Sequence, residues 1–126
     1  MTLGFYNVMW RLLRPFLPLV IGWRQQKGKE QAGRLQDRYG QPRFDTPLFG
    51  VIWLHSVSVG ETTAAISLAK ALAQNWPQAR FLITTNTVTA AQLVKHEISI
   101  GFPLSHAFQP LDHPHFVDRF LAQVKP

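Results

Sequence analysis

Gly50-Val51-Ile52-Trp53-Leu54-His55, then Ser56-Val57-Ser58-Val59-Gly60, then Glu61 through Asn75 are the three consecutive stretches that decide the fold. The first is short, apolar and rich in β-branched residues, which predicts a strand buried on both faces. The second is a turn of small residues. The third is rich in alanine and leucine, and Ala65, Leu68, Ala69 and Leu72 follow the i, i+3, i+4, i+7 spacing of one apolar helix face. Pro77 closes the unit.

The same grammar repeats toward the C-terminus. Arg80 to Thr85 reads as a second strand. Asn86 to Thr89 reads as a turn with Thr89 as N-cap, and Ala90 to about His96 as a helix. A third strand is expected near Ser105 to Gln109. Pro114 suits the first position of a final helix, where a missing N–H costs nothing. Phe116, Phe120 and Leu121 would form its apolar face. Strands alternating with helices predict an α/β fold, a parallel sheet joined by right-handed crossovers. Three strands make a poor doubly wound sheet, so residues 48–126 are expected to be an incomplete domain.

Upstream of this unit the chain changes character. Residues 1–43 carry eight cations and two acids, and residues 44–126 carry five of each, so the whole net charge of +6 sits in the first third. Residues 1–23 contain no acid and read as an apolar helix. About 20 apolar residues span a bilayer, but Arg11 and Arg14 would each cost about 2.5–3.5 kcal/mol at its centre. Pro15 and Pro18 also break the helical ladder. Asn7, Arg11 and Arg14 share one face, with Phe5, Met9, Leu12 and Phe16 on another. Trp10 and Trp23 suit the headgroup zone, so the pattern favours interfacial docking, with a true span as the alternative. No small-residue cleavage site follows the apolar run, as a signal peptide would require.

Residues 24–47 read as a basic helix and linker, ended by Gly40 and Pro42, with Glu30 and Arg34 as an i, i+4 pair. Arg24, Lys27 and Lys29 would keep the following chain cytoplasmic and, with Trp10, Arg11, Arg14 and Trp23, meet anionic lipid. The run could equally be a solvated charged face. No recognition-helix, zinc-finger or RNA-binding signature accompanies it, so nucleic acid is not expected as a partner. The chain has no cysteine, which excludes disulfides, thiolate metal sites and a cysteine nucleophile. Asp112, His113 and His115 do not have the spacing of a usual metal-ligand set, and no metal or other cofactor is expected.

Ligands of open parallel sheets bind beyond the carboxyl ends of the strands. The turn Ser56–Glu61 is placed there, at a helix N-terminus that favours anions. It is neither a Walker loop nor a dinucleotide fingerprint. Ser58 and Glu61 fit a capping box, with the glutamate reaching back to the Ser58 N–H. Glu61 also fits a general base, a carboxylate facing the cleft that takes a proton from a substrate hydroxyl. The two roles are not exclusive, but a single carboxylate is not expected to serve both at once. His55 reads as a structurally oriented residue, and the threonines Thr84 to Thr89 as either cleft lining or caps.

Trp53-Leu54-His55-Ser56-Val57-Ser58-Val59-Gly60-Glu61-Thr62 closely resembles the start of the 3-deoxy-D-manno-octulosonic acid (Kdo) transferases. The resemblance continues through Ile83 to Thr89, His106 to Pro114 and Arg119 to Leu121, and takes in the apolar start and the stretch Lys27 to Gly40. The sequence departs from the family pattern at Val88, Ala90 and Leu111. The resemblance implies the N-terminal part of a two-domain GT-B glycosyltransferase with Rossmann-like domains. Such enzymes transfer Kdo from CMP-Kdo to a lipid A precursor, with inversion, at the cytoplasmic face of the inner membrane. By motif match Glu61 is the catalytic base. Ser56, Ser58, Gly60, Thr85 and Thr87 are candidate acceptor-binding residues. The CMP-Kdo site is expected in a C-terminal part this chain does not contain, so the 126 residues alone should be inactive. An inactive membrane-associated fragment and a related GT-B enzyme with another acceptor are the alternatives.

Overall fold

The computed structural model describes residues 3–28 and 31–126. Lys29 and Glu30, and with them the expected Glu30–Arg34 pair, lie outside the described residues. The chain forms an α/β unit on a three-stranded parallel sheet, β1 (Ile52–His55), β2 (Phe81–Thr85) and β3 (Leu104–Phe108), in spatial order β1-β2-β3. Ile52 pairs with Phe81, and Phe81 with Leu104.

Helices cover both faces of the sheet. Two of them, α4 (Val59–Asn75) and α5 (Val88–Ser99), connect successive strands and lie on one face. There Ile66, Ala69 and Val94 pack on Phe81, Ile83 and Leu104. On the other face, α6 (Pro114–Val124) sets Phe120 and Val124 against Val51, Leu82 and Ala107. The alternation along β2 follows from strand geometry: Phe81 and Ile83 face one layer and Leu82 the other. Because β2 is central, all five of its residues are buried.

Several expectations need correction. β1 is not buried on both faces; it pairs with β2 alone, and its residues alternate between partly buried and exposed. The buried line of α4 runs through Thr62, Ile66 and Ala69, which leaves Leu68 exposed. In α6 the last turn buries Val124 instead of Leu121, keeping the 116, 120, 124 line against the sheet. The cap of α5 is Thr87, not Thr89: its side chain accepts the Ala90 N–H, and the helix starts two residues early. His113 caps α6, its Nδ1 accepting the His115 N–H at 3.2 Å. That assigns the histidine a local structural role.

The front end is not one helix. Helix α1 (Leu3–Leu13) leads through a 3-10 turn (Arg14–Phe16) into α2 (Leu17–Gln26). The break falls where Pro15 and Pro18 remove donors from the ladder. Among the described residues no helix is long and apolar enough to cross a membrane. Leu3, Phe5, Val8, Leu12, Phe16, Leu19 and Trp23 are all exposed. Arg14 is turned the other way, its guanidinium 5.8 Å from the Phe116 ring.

Nor is 24–43 a continuous basic helix. After α2 the chain turns, and only a 3-10 turn (Ala32–Arg34) and the short α3 (Leu35–Arg38) follow. Arg34 and Arg38 do not form a solvated face. This segment closes the outer edge of β3. Arg34 Nη2 donates to the His106 carbonyl at 2.8 Å, and the Phe108 N–H donates to Asp37 Oδ2 at 3.0 Å. Asp37 Oδ2 also accepts from Arg34 Nη2 at 2.7 Å, and both Arg34 and Arg38 stand over the Phe108 ring. Side chains thus satisfy a strand edge that would otherwise present unpaired backbone. Gly40 ends the segment with φ +72°.

Candidate active site

The carboxyl ends of the three strands bring together His55-Ser56, Thr85-Asn86 and Phe108-Gln109. Around β1 a polar network fixes the turn. Ser56 is fully buried, and its Oγ lies 2.7 Å from Thr62 Oγ1. Thr62 Oγ1 in turn donates to the Ser58 carbonyl at 2.8 Å. Thr84 Oγ1 accepts the Trp53 indole N–H at 2.9 Å and lies 2.9 Å from His55 Nδ1. His55 is therefore oriented by the neighbouring strand, as its place at a strand end suggested.

The turn presents Glu61 on the exposed first turn of α4. Ser58 Oγ accepts the Glu61 N–H at 3.2 Å. The return bond reaches one residue further than a standard capping box: Glu61 Oε2 accepts the Val57 N–H at 2.7 Å rather than that of Ser58. Among the described residues no other hydrogen bond reaches this carboxylate. One oxygen therefore holds the turn while Oε1 stays available to an incoming hydroxyl. The group can cap and accept a proton through different atoms.

The other acceptor-binding candidates separate into two sets. Ser58, Gly60 and Thr87 are exposed. Ser58 and Thr87 each use the side chain to cap a helix, and a Cβ added at Gly60 would meet only open space out to 4.0 Å. Ser56 and Thr85 are buried behind this surface. Thr85 Oγ1 lies 2.8 Å from His106 Nε2, while His106 Nδ1 faces Arg34 Nη1 at 3.2 Å. Arg34 can only donate, so Nδ1 is the acceptor and Nε2–H bonds Thr85. Burial first, then the charges of Arg34, Lys95 and Arg38, hold the His106 pKa down at about 3. The ring is neutral, which agrees with that tautomer.

Two cavities extend the site away from Glu61. One of about 300 Å³ separates the strand ends from the front helices, with Trp10, Leu17, Ile21 and Arg24 on the helix side and Asn86 and Gln109 on the strand side. A second, of about 190 Å³, shares Gln109, Pro110 and Asp112 and runs to His55 and Trp53. Arg38, buried beneath, donates to Asn86 Oδ1 at 2.7 Å and to the Gln109 carbonyl at 3.0 Å. Tyr6 donates a hydrogen bond to Asp112, tying α1 to the loop after β3. Asn86 and Gln109 were missed in the sequence. They follow β2 and β3 as Ser56 follows β1, so the strand-end rule that selected Ser56 applies to them too. Of the residues assigned to lipid contact, Trp23 is exposed with Lys27 Nζ 6.0 Å from its ring, Arg11 and Arg14 are exposed, and Trp10 and Arg24 line the larger cavity.

Fold and site define a parallel α/β unit whose strand-end turn exposes a carboxylate, with an amphiphilic groove over the other strand ends. Residues 23–126 match the family of 3-deoxy-D-manno-octulosonic-acid transferases, and the chain belongs to that family. It is 36% identical over 121 residues to a probable mitochondrial 3-deoxy-D-manno-octulosonic acid transferase of Arabidopsis thaliana. That match covers 96% of this chain and 27% of the relative. Identity to the 3-deoxy-D-manno-octulosonic acid transferase of Haemophilus influenzae is 32%, covering 97% of this chain and 28% of that protein. The Bordetella pertussis transferase is 32% identical over 90% of this chain and 28% of its own length. The chain thus spans about a quarter of the length of the curated relatives it matches. No solved structure matches it.

Proposed function

We propose that this chain is the acceptor-binding, base-bearing N-terminal part of an inverting GT-B glycosyltransferase that transfers Kdo from CMP-Kdo to a lipid A precursor. The observation that carries this is the Glu61 carboxylate, exposed beyond the carboxyl end of β1 with one oxygen unengaged, in a chain that belongs to the Kdo transferases. In inverting transfer the acceptor hydroxyl attacks the anomeric carbon from the face opposite the departing CMP. The new bond forms as the bond to the CMP phosphate breaks, and the hydroxyl proton passes to Glu61. The donor CMP-Kdo is assigned to the larger part of the enzyme, because this chain spans only about a quarter of the length of its relatives.

The acceptor is an amphiphile, and the groove suits one. Trp10, Leu17 and Ile21 offer an apolar wall bordered by Arg24 of the same helix layer, and Asn86 and Gln109 a polar one at the strand ends. The exposed apolar face of α1 and α2, with Lys27 after it, docks on the cytoplasmic face of an anionic membrane. The domain assignment follows: 1–23 membrane-associated, 24–47 basic linker, 48–126 part of the acceptor-side domain.

The test is Glu61→Gln in the full-length enzyme. The amide oxygen can still accept the Val57 N–H, but no basic oxygen remains. Removing a general base costs about 10²–10⁴ in rate, whereas loss of a cap costs about 0.5–2 kcal/mol of stability. The expected variant is folded, melts close to the parent and transfers almost no Kdo. Near-normal turnover, or activity lost only in step with unfolding, would return Glu61 to capping alone.

A further inference from the structure

A third cavity, of about 310 Å³, lies at the opposite end of the sheet. Its walls come from the loop before β1 (Arg43–Thr46), from Arg80 ahead of β2, from the first residues of β3 and from the second half of α5. Glu61 follows the far end of β1. A strand of five residues is about 16 Å long, so the two places do not share a small ligand.

Four cations line this cavity, Arg34, Arg43, Arg80 and Lys95, against one carboxylate, Asp45. Arg34 is already neutralised by Asp37 at 2.7 Å. The other three are not. Arg80 donates to Thr46 Oγ1 at 3.1 Å and Lys95 to Gln31 Oε1 at 2.9 Å, both uncharged oxygens. Among the described residues neither of them, nor Arg43, is in an ion pair. Three unpaired cations and one acid leave an excess of two positive charges around one concavity. Like charges drawn together this way focus a positive potential on the space between them.

We infer that this cavity is a phosphate-binding site, distinct from the site at Glu61. Two guanidinium groups can grip a tetrahedral oxyanion with paired N–H donors, and the lysine adds a point charge. The Thr46 and Ser105 hydroxyls line the same space. His106 on one wall is neutral and needs no counter-ion of its own. The volume exceeds one phosphate, which leaves room for the group that carries it. A free phosphate ester and the headgroup of an anionic lipid both present this chemistry.

The experiment is a titration of the protein with inorganic phosphate at constant ionic strength, followed by ³¹P NMR and melting temperature, with chloride as the matched control. Saturable binding and a raised Tm are expected. Arg43→Gln and Lys95→Gln should each weaken binding several-fold, and together by roughly tenfold or more. Arg43 is exposed, so its variant is not expected to lose the fold. Lys70→Gln, at a lysine paired with Glu97 at 2.8 Å and outside the cavity, should bind as the parent does. A second arm uses phosphatidylglycerol vesicles. If the double variant also loses vesicle binding, the phosphate is a lipid headgroup; if only inorganic phosphate binding falls, it is a soluble phosphate. Absence of saturable binding, or binding unchanged in the double variant, overturns the inference.

Discussion

His106 shows how a single side chain can couple this fold to pH. Its ring is buried beside cations and has a pKa of about 3, against 6.5 for a free ring. In the folded protein it stays neutral, while in the unfolded chain it takes up a proton below pH 6.5. The unfolded state therefore binds more protons between pH 6.5 and 3. Stability is full above 6.5 and falls as pH drops through that window, by about 1.4 kcal/mol per pH unit while the difference lasts. Urea unfolding at pH 7.5, 6 and 5 should show the decline, and His106→Gln should flatten it. An equally steep curve in the variant would assign the effect to other groups. Residue-level reading of the sequence succeeded where the geometry is local. Ser58, Glu61 and Pro114 stand where spacing placed them. It failed at Thr87 and Thr89, because either threonine can cap a helix and only the register of β2 decides which one faces its first turn.

At the scale of elements, the segment 31–40 holds the most unexpected structure. Its charge suggested a solvated or lipid-facing helix, yet Arg34, Asp37 and Arg38 are committed to the edge of β3 and the ends of β2 and β3. Their partners are 48 to 72 residues away in sequence, so no local pattern encodes them. The three strands and their helices, by contrast, were legible to within a few residues, because their hydrophobic periods and breakers are local. Gly40 tests the docking of the segment. Its left-handed φ costs an L residue about 1–2 kcal/mol, and a Cβ there would collide with the Phe116 backbone carbonyl of α6. Gly101 has φ +91° but open space around it. Gly40→Ala should therefore lower stability distinctly more than Gly101→Ala in chemical denaturation. Equal losses would mean that α6 yields freely and that the contact contributes nothing.

For the molecule as a whole, the front helices do two things at once. Their outward face is apolar and their inward face walls the groove over the strand ends. Deleting residues 1–23 should abolish most binding to vesicles that contain anionic lipid, and salt should weaken what remains. Co-sedimentation at two ionic strengths measures this, and unaltered binding of the truncated chain would refute the anchoring role. The sequence conveyed the amphipathic pattern but not that the same helices reach Asp112 and the groove, since that depends on how they fold back onto the sheet.

The two borders of the sheet differ, and the difference bears on how the isolated chain meets other copies of itself. The β3 border is sealed by Arg34 and Asp37, whereas among the described residues β1 has a partner on one side only. Residues Ile52–His55 carry no lysine, no proline and no bulge, the usual devices that discourage another extended chain from adding to a free border. At high concentration two copies can join along this strand, related by a twofold axis and so antiparallel. The isolated chain is therefore expected to self-associate through this strand, and its apparent molar mass by light scattering should rise with concentration; a constant monomer mass would refute the pairing.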